Sequence, residues 1–171
     1  NGITASVVSW RKFSDNSTPT QAKMGGNYLN SIIATQEAKR NGVDEAILLD
    51  QNGNVSEAPG ENIFIIKDGQ LITPSLSSSA LEGITRDAII KMGKDLDIDV
   101  IERNFKRSEL IMSEEIFLTG TAAEITPVIS MDSKKIGTGK PGDITKKMMQ
   151  EYLDIVMNKN IDYTHWLTEV Y

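Results

Sequence analysis

The stretch Asn62-Ile63-Phe64-Ile65-Ile66-Lys67-Asp68-Gly69-Gln70-Leu71-Ile72-Thr73 decides the fold class. A run rich in β-branched and aromatic residues meets Asp-Gly, and a second apolar run returns and stops before Pro74. That order is the sequence of a β-hairpin. Upstream, Ala46-Ile47-Leu48-Leu49 is another short apolar run, bounded by Asp50-Gln51-Asn52-Gly53-Asn54. The Asn-Gly predicts a second hairpin, with a return strand from Val55 that brings Ser56 and Glu57 to its far end. Ala58-Pro59-Gly60 then breaks it. Hairpins mixed with scattered helices argue for an α+β arrangement rather than a strict βαβ array.

Further outward, Ile3 to Trp10 reads as a strand, and Arg11 to Thr20 as a polar loop. Asn27 to Arg40 carries Leu29, Ile32, Ile33 and Ala34 at helical spacing and closes at Asn41-Gly42. Ile84 to Leu96 is helical, with Ile84, Ala88, Ile89 and Met92 on one face. Asp99 to Arg103 reads as a strand, and Ser108 as the cap of a short helix through Met112. Glu115 to Thr119 and Ile125 to Ser130 are strands; one short strand is expected around Ile136. Asp143 to Met157 is a long amphipathic helix whose stripe is Ile144, Met148, Tyr152, Ile155 and Val156. Tyr163 to Tyr171, with Trp166 and Leu167, is expected to dock on the body.

Composition narrows the function classes. The chain has 171 residues, 39% hydrophobic and 25% charged, which is ordinary for a globular domain. A net charge of −6 argues against a general nucleic-acid binder. There is no cysteine, so no thiol nucleophile, and one histidine, His165, so no multi-histidine metal site within this chain. No apolar run reaches transmembrane length, and a cytoplasmic location is the default. The chain starts at Asn1 and enters a strand at once, as a piece of a longer protein would.

The chemistry centres on Gln21-Ala22-Lys23-Met24-Gly25-Gly26-Asn27-Tyr28-Leu29-Asn30-Ser31. A lysine stands just before two glycines and a helix start, beside orphan N–H groups and the positive dipole end. Carbonyl chemistry requires a neutral amine, and desolvation beside positive partial charge is how a fold supplies one. The bland alternative is a solvated lysine before a helix. Three segments can join it. Val55 to Asn62 places Glu57 and Glu61 in a strand-end bend, as an acid–base pair or as solvated turn acids. Leu81-Glu82-Gly83-Ile84-Thr85-Arg86-Asp87 opens a helix whose N–H groups and hydroxyl can hold a phosphate, or serve only as an ordinary cap. Thr119-Gly120-Thr121-Ala122-Ala123-Glu124 is a turn of small residues that can bind an anion or simply reverse the chain. One lysine, a carboxylate and two phosphate-grade turns suit pyridoxal 5′-phosphate. The residues alone do not choose Glu57 over Glu61.

Lys23 to Ser31, with Ser56-Glu57-Ala58-Pro59-Gly60-Glu61-Asn62, Gly83-Ile84-Thr85-Arg86 and Gly120-Thr121-Ala122-Ala123-Glu124, resembles the branched-chain amino-acid aminotransferases. These are fold-type IV pyridoxal-phosphate enzymes. The resemblance covers nearly the whole chain, and it implies the large C-terminal domain, a mixed-sheet pseudo-barrel with flanking helices. The small N-terminal domain, which supplies an arginine to the phosphate and much of the side-chain pocket, is absent from residues 1–171, so the site of this piece is expected to be incomplete.

By that resemblance Lys23 is the aldimine lysine and the proton shuttle at the substrate Cα. Tyr28 serves the cofactor's phenolic oxygen and Glu57 its pyridine nitrogen. Leu81 packs on the ring, and Ile84, Thr85 and Thr121 hold the phosphate. The Thr121-Ala122 backbone meets the substrate carboxylate. Arg86 and Asp87 are read as helix-end structure. The implied reaction is transamination of leucine, isoleucine and valine with 2-oxoglutarate. The implied assembly is a homo-oligomer, dimer or higher, with no metal, nucleic acid or membrane partner. D-amino-acid aminotransferase, aminodeoxychorismate lyase and a non-catalytic module keeping the fold are the alternatives.

Overall fold

The computed structural model describes residues 1–169. In chain order the elements are β1 (Ile3–Arg11), α1 (Tyr28–Arg40), β2 (Glu45–Leu49), β3 (Asn62–Lys67), β4 (Gln70–Thr73), α2 (Ile84–Asp95) and β5 (Val100–Glu102). Then come α3 (Arg107–Met112), β6 (Glu115–Gly120), β7 (Glu124–Met131), β8 (Lys134–Lys135) and α4 (Asp143–Val156). The strands form one eight-stranded sheet in the order β2-β1-β7-β6-β3-β4-β5, with β8 on β7. It is mixed: β1 lies parallel to β2 and β7, and β3 antiparallel to β4 and β6. This is an α+β fold.

The hairpin β3–β4 forms where its sequence predicts. Asp68 and Gly69 both take positive φ, 51° and 73°, the combination that matches the twist of a two-residue hairpin. Along β3 the side chains alternate between two cores. Ile63 and Ile65 face a cluster with Ile47, Ile72, Ile116 and Leu118. Phe64 and Ile66 face Ile89 and Met92 of α2 and Met148 and Ile155 of α4. The Phe64 and Phe117 rings stack at 5.2 Å between centroids. A third cluster packs Ala34 and Ala38 of α1 on Val8, Ala46 and Leu48.

The first cluster lies inside the curl of the sheet, and the curl closes. Leu49 pairs with Val55 and Asn54 with Lys106, and the Val55 N–H donates to the Phe105 carbonyl at 2.8 Å. Residues 54–55 and 105–106 thus join the β2 edge to the segment that follows β5. The expected pseudo-barrel with flanking helices is the observed architecture.

Five expectations are corrected, the first on α4, where Val156 of the expected stripe is 44% exposed. The return strand from Val55 is reduced to this bridging, with Ser56 N–H donating to Leu48 O and Leu48 N–H to Glu57 O. Ser108 is inside α3, which begins after Lys106, and caps nothing. On α1 the buried positions are Asn30, Ser31, Ala34 and Ala38, while Leu29 is 63% and Ile32 57% exposed. On α2, Ile84 is 79% exposed, and Ile89, Ile90, Met92 and Gly93 face the core. The tail forms a short 3₁₀ segment, Ile161–Trp166, with Tyr163 buried and Trp166 packed on the second core; Val170 and Tyr171 of the predicted tail lie outside the described residues.

Candidate active site

The Lys23 loop is shaped by its own backbone and by Asn27. Met24 N–H donates to Ala22 O at 2.8 Å, which puts Lys23 at the apex of a tight turn. The Asn27 side chain accepts from Thr18 Oγ1 at 3.0 Å and donates to the carbonyls of Pro19 and Ala22. Gln21 fastens the loop to a distant one: its Nε2 donates to Ala80 O at 2.6 Å, and Glu82 N–H donates to its Oε1 at 3.0 Å. Lys23 itself is exposed and has no hydrogen-bond or ion-pair partner among the described residues, so the desolvation expected from the sequence is not provided by this chain. The two glycines differ from expectation too. A Cβ at Gly25 or Gly26 would meet nothing within 4 Å, so neither is required by packing inside the chain.

Glu57 is buried and held by three donors. Its Oε1 accepts from Lys12 Nζ at 2.5 Å, and its Oε2 accepts from Asn62 Nδ2 at 3.1 Å and Leu81 N–H at 2.9 Å. Three segments therefore fix one carboxylate, which is the way a buried charge is tolerated. Glu61 is half-buried and receives only the Gly60 N–H, at 3.2 Å. Burial pushes the Glu61 carboxyl above the usual carboxylate range, with repulsion from Glu57 adding to it. The structure thus separates the two acids: one held by a cation and two N–H donors, the other without a cation.

The start of α2 faces the same space. Gly83 is its N-cap and supplies no side-chain cap. The N–H groups of Ile84, Thr85 and Arg86 have no acceptor among the described residues, as expected of a first helical turn. Thr85 is buried, and Gly83 sits so close to Asn62 that a Cβ would lie 2.2 Å from Asn62 Oδ1. Arg86 turns away: its Nη2 donates to Pro74 O at 2.9 Å and Glu102 Oε2 at 2.7 Å, a structural tie as its sequence position predicts. At the end of β6, pairing of Asn62 with Thr119 brings the Thr119–Thr121 turn beside the start of β3. Thr119 Oγ1 is buried without a partner among the described residues.

One cleft collects these groups. Lys23, Tyr28, Glu57, Leu81, Ile84, Thr85 and Thr121 all line it, together with Glu61. Ala122 is not in its lining and stands exposed one residue beyond. Lys12, Asn62 and Thr119 also line it and were not among the residues singled out from sequence. Lys12 and Glu57 are 45 residues apart in the chain, and no local pattern joins them. Asn62 stood inside a quoted motif, and its place at the first position of a strand was the available signal.

Residues 2–131 match the amino-transferase class IV family. The branched-chain-amino-acid aminotransferase of Escherichia coli (strain K12) is 48% identical over 169 residues, which are 99% of this chain and 55% of that protein. The branched-chain aminotransferase of the thermophilic archaeon Thermoproteus uzoniensis, solved with norvaline, superposes with a TM-score of 0.96 at 46% identity, covering 100% of this chain and 57% of its own. The T.th. branched-chain amino acid aminotransferase, complexed with N-(5′-phosphopyridoxyl)-L-glutamate, gives 0.96 at 43% identity, covering 99% of this chain and 57% of its own. The chain therefore spans about half the length of the relatives it matches. With motifs, topology and cleft in agreement, the chain belongs to the amino-transferase class IV family.

Proposed function

We propose that residues 1–171 are the C-terminal, cofactor-binding domain of a pyridoxal 5′-phosphate-dependent aminotransferase. Its substrates are the branched-chain L-amino acids leucine, isoleucine and valine, with 2-oxoglutarate as amino acceptor. The observation that carries this is the convergence of Lys23, Tyr28, Glu57, Ile84, Thr85 and Thr121 on one cleft. The donor set suits a phosphorylated pyridine: an amine with no partner among the described residues, an anchored carboxylate, and a helix start without a side-chain cap beside hydroxyls. Bound there, the cofactor supplies an electron sink for the substrate's Cα–H bond.

The chain's own residues do the rest. Lys23 holds the cofactor and moves the proton at the substrate Cα, an amine already positioned for that transfer. Glu57 takes the pyridine N–H, and Tyr28 donates to the phenolic oxygen. Leu81 packs on the ring. The N–H groups of Ile84 and Thr85 and the hydroxyls of Thr85 and Thr121 grip the phosphate. The backbone of Thr121 and Ala122 receives the substrate carboxylate. A relative solved with norvaline supports an aliphatic substrate, and one holding a phosphopyridoxyl-glutamate adduct supports both cofactor and acceptor.

The rest of the protein is an N-terminal small domain, and the whole is a cytoplasmic homo-oligomer. In support, Met24, Tyr28, Leu29 and Ile32 are exposed along one side of the Lys23 segment, with Ile84 79% exposed at the α2 start. Apolar surface of that kind beside a cleft is what a covering domain or subunit buries. No helix among the described residues is long and apolar enough to cross a membrane.

The test is absorption spectroscopy of the full-length protein with pyridoxal phosphate, then with L-leucine, D-alanine or aminodeoxychorismate. A visible band that bleaches with L-leucine alone is expected, and Lys23→Ala abolishes it and all turnover. Bleaching by D-alanine or aminodeoxychorismate instead would reassign the substrate. No band would return the chain to a non-catalytic module.

A further inference from the structure

Lys12 is the second lysine of the cleft, and its surroundings differ from those of Lys23. Its backbone is pinned on both sides: its N–H donates to Leu49 O at 2.9 Å, and its carbonyl accepts from Gln51 Nε2 at 2.6 Å. Its side chain is 15% exposed and that of Glu57 7%, with Nζ and Oε1 2.5 Å apart. The remaining donors to Glu57, Asn62 Nδ2 and Leu81 N–H, are neutral and occupy Oε2. Glu61, a second acid lining the cleft, repels Glu57 and offers it no compensating charge. Lys12 is therefore the one cation in contact with Glu57 among the described residues.

Resting on the reading above, we propose that Lys12 is a positioning residue that keeps the negative charge on Glu57 and fixes its orientation, so that the proton shared with the cofactor's ring nitrogen rests on the nitrogen. A carboxylate can take several donors at once, and a free sector of Oε1 remains after Lys12 is bound. Two donors on one carboxylate lie farther from each other than either lies from the carboxylate. Attraction between the ammonium and Glu57 therefore exceeds repulsion between the ammonium and the protonated ring, because Coulomb energy falls with distance. Without Lys12, Glu57 is a buried charge with neutral donors only, and such a group takes up a proton rather than remain charged. A neutral Glu57 offers its proton to the ring nitrogen instead of receiving one, and the ring loses its pull on electrons.

The experiment loads full-length protein with pyridoxal phosphate carrying 15N in the ring and reads the nitrogen shift in wild type, Lys12→Gln and Lys12→Arg. Wild type and Lys12→Arg show a protonated nitrogen; Lys12→Gln moves to the unprotonated position. In the full-length protein without cofactor, infrared spectra are expected to show Glu57 as the acid in Lys12→Gln and as the carboxylate in Lys12→Arg. This second readout stands if Lys12→Gln does not retain the label. A nitrogen or carboxyl unchanged by Lys12→Gln overturns the inference alone. A wild-type protein that takes up no label overturns the function proposed above, and the inference with it.

Discussion

Gly83→Ala tests the tightest contact in the cleft. Gly83 has φ −75° and ψ 138°, a backbone that alanine adopts without strain. Loss of unfolded-state entropy favours alanine by about 0.4–1 kcal/mol, while alanine is the poorer N-cap by a similar amount, so these effects cancel. What remains is the new Cβ, 2.2 Å from Asn62 Oδ1 and 3.4 Å from its Cγ. Asn62 is only 7% exposed and cannot swing into solvent. Its displacement breaks the 3.1 Å bond to Glu57 and the 2.8 Å bond to Leu81 O. A hydrogen bond to a charged group contributes about 1.5–3 kcal/mol and a neutral one about 1 kcal/mol. A net loss of about 3 kcal/mol follows, or about 6–12 °C in melting temperature for a domain of this size. The assay is urea and thermal unfolding of wild type, Gly83→Ala, Asn62→Ala and the double variant. In the Asn62→Ala background the cost of Gly83→Ala should fall close to zero. Wild-type stability for Gly83→Ala, or an equal cost in both backgrounds, would refute the reasoning.

Glu61→Gln should stabilise the chain near pH 7 and leave it unchanged near pH 4. The folded Glu61 carboxyl is raised, chiefly by burial, so its contribution to stability is present below the unfolded value of about 4.3 and is lost as pH rises through the folded one. Urea midpoints at the two pH values measure this, and a gain that persists at pH 4 contradicts it. Glu115 accepts from the N–H groups of Ile144 and Thr145, at 3.1 and 2.7 Å, and so caps α4 from another strand. Glu115→Ala should cost about 1–2 kcal/mol in urea unfolding, with Glu115→Gln recovering part of it; no change in either variant would remove the cap.

The β3–β4 hairpin was legible because its signals are local: a β-rich run, Asp68-Gly69, and Pro74 after the return. Strands β6 and β7 were legible for the same reason. The faces of α1 and α2 were not. Leu29, Ile32 and Ile84 have the hydrophobicity of core residues, yet they point away from the core of this chain. Periodicity reports that a residue seeks burial; it does not say against which surface. Ala34 and Ala38 bury instead, because α1 lies close on β1 and β2. In the site, the residues singled out within contiguous motifs line one cleft, except Ala122. The residues alone do not separate Glu57 from Glu61, because what distinguishes them here is the tertiary contacts of Glu57 with Lys12, Asn62 and Leu81. The Gln21 tie between two loops is likewise a long-range contact, invisible in any window of sequence.

The most direct test of the central claim is to treat the full-length protein with pyridoxal phosphate, reduce with borohydride, digest, and map the phosphopyridoxyl mass. Two lysines line the cleft, one paired with Glu57 and one without a partner among the described residues. The label is predicted on Lys23. A label on Lys12, or no label on either lysine, would contradict the account.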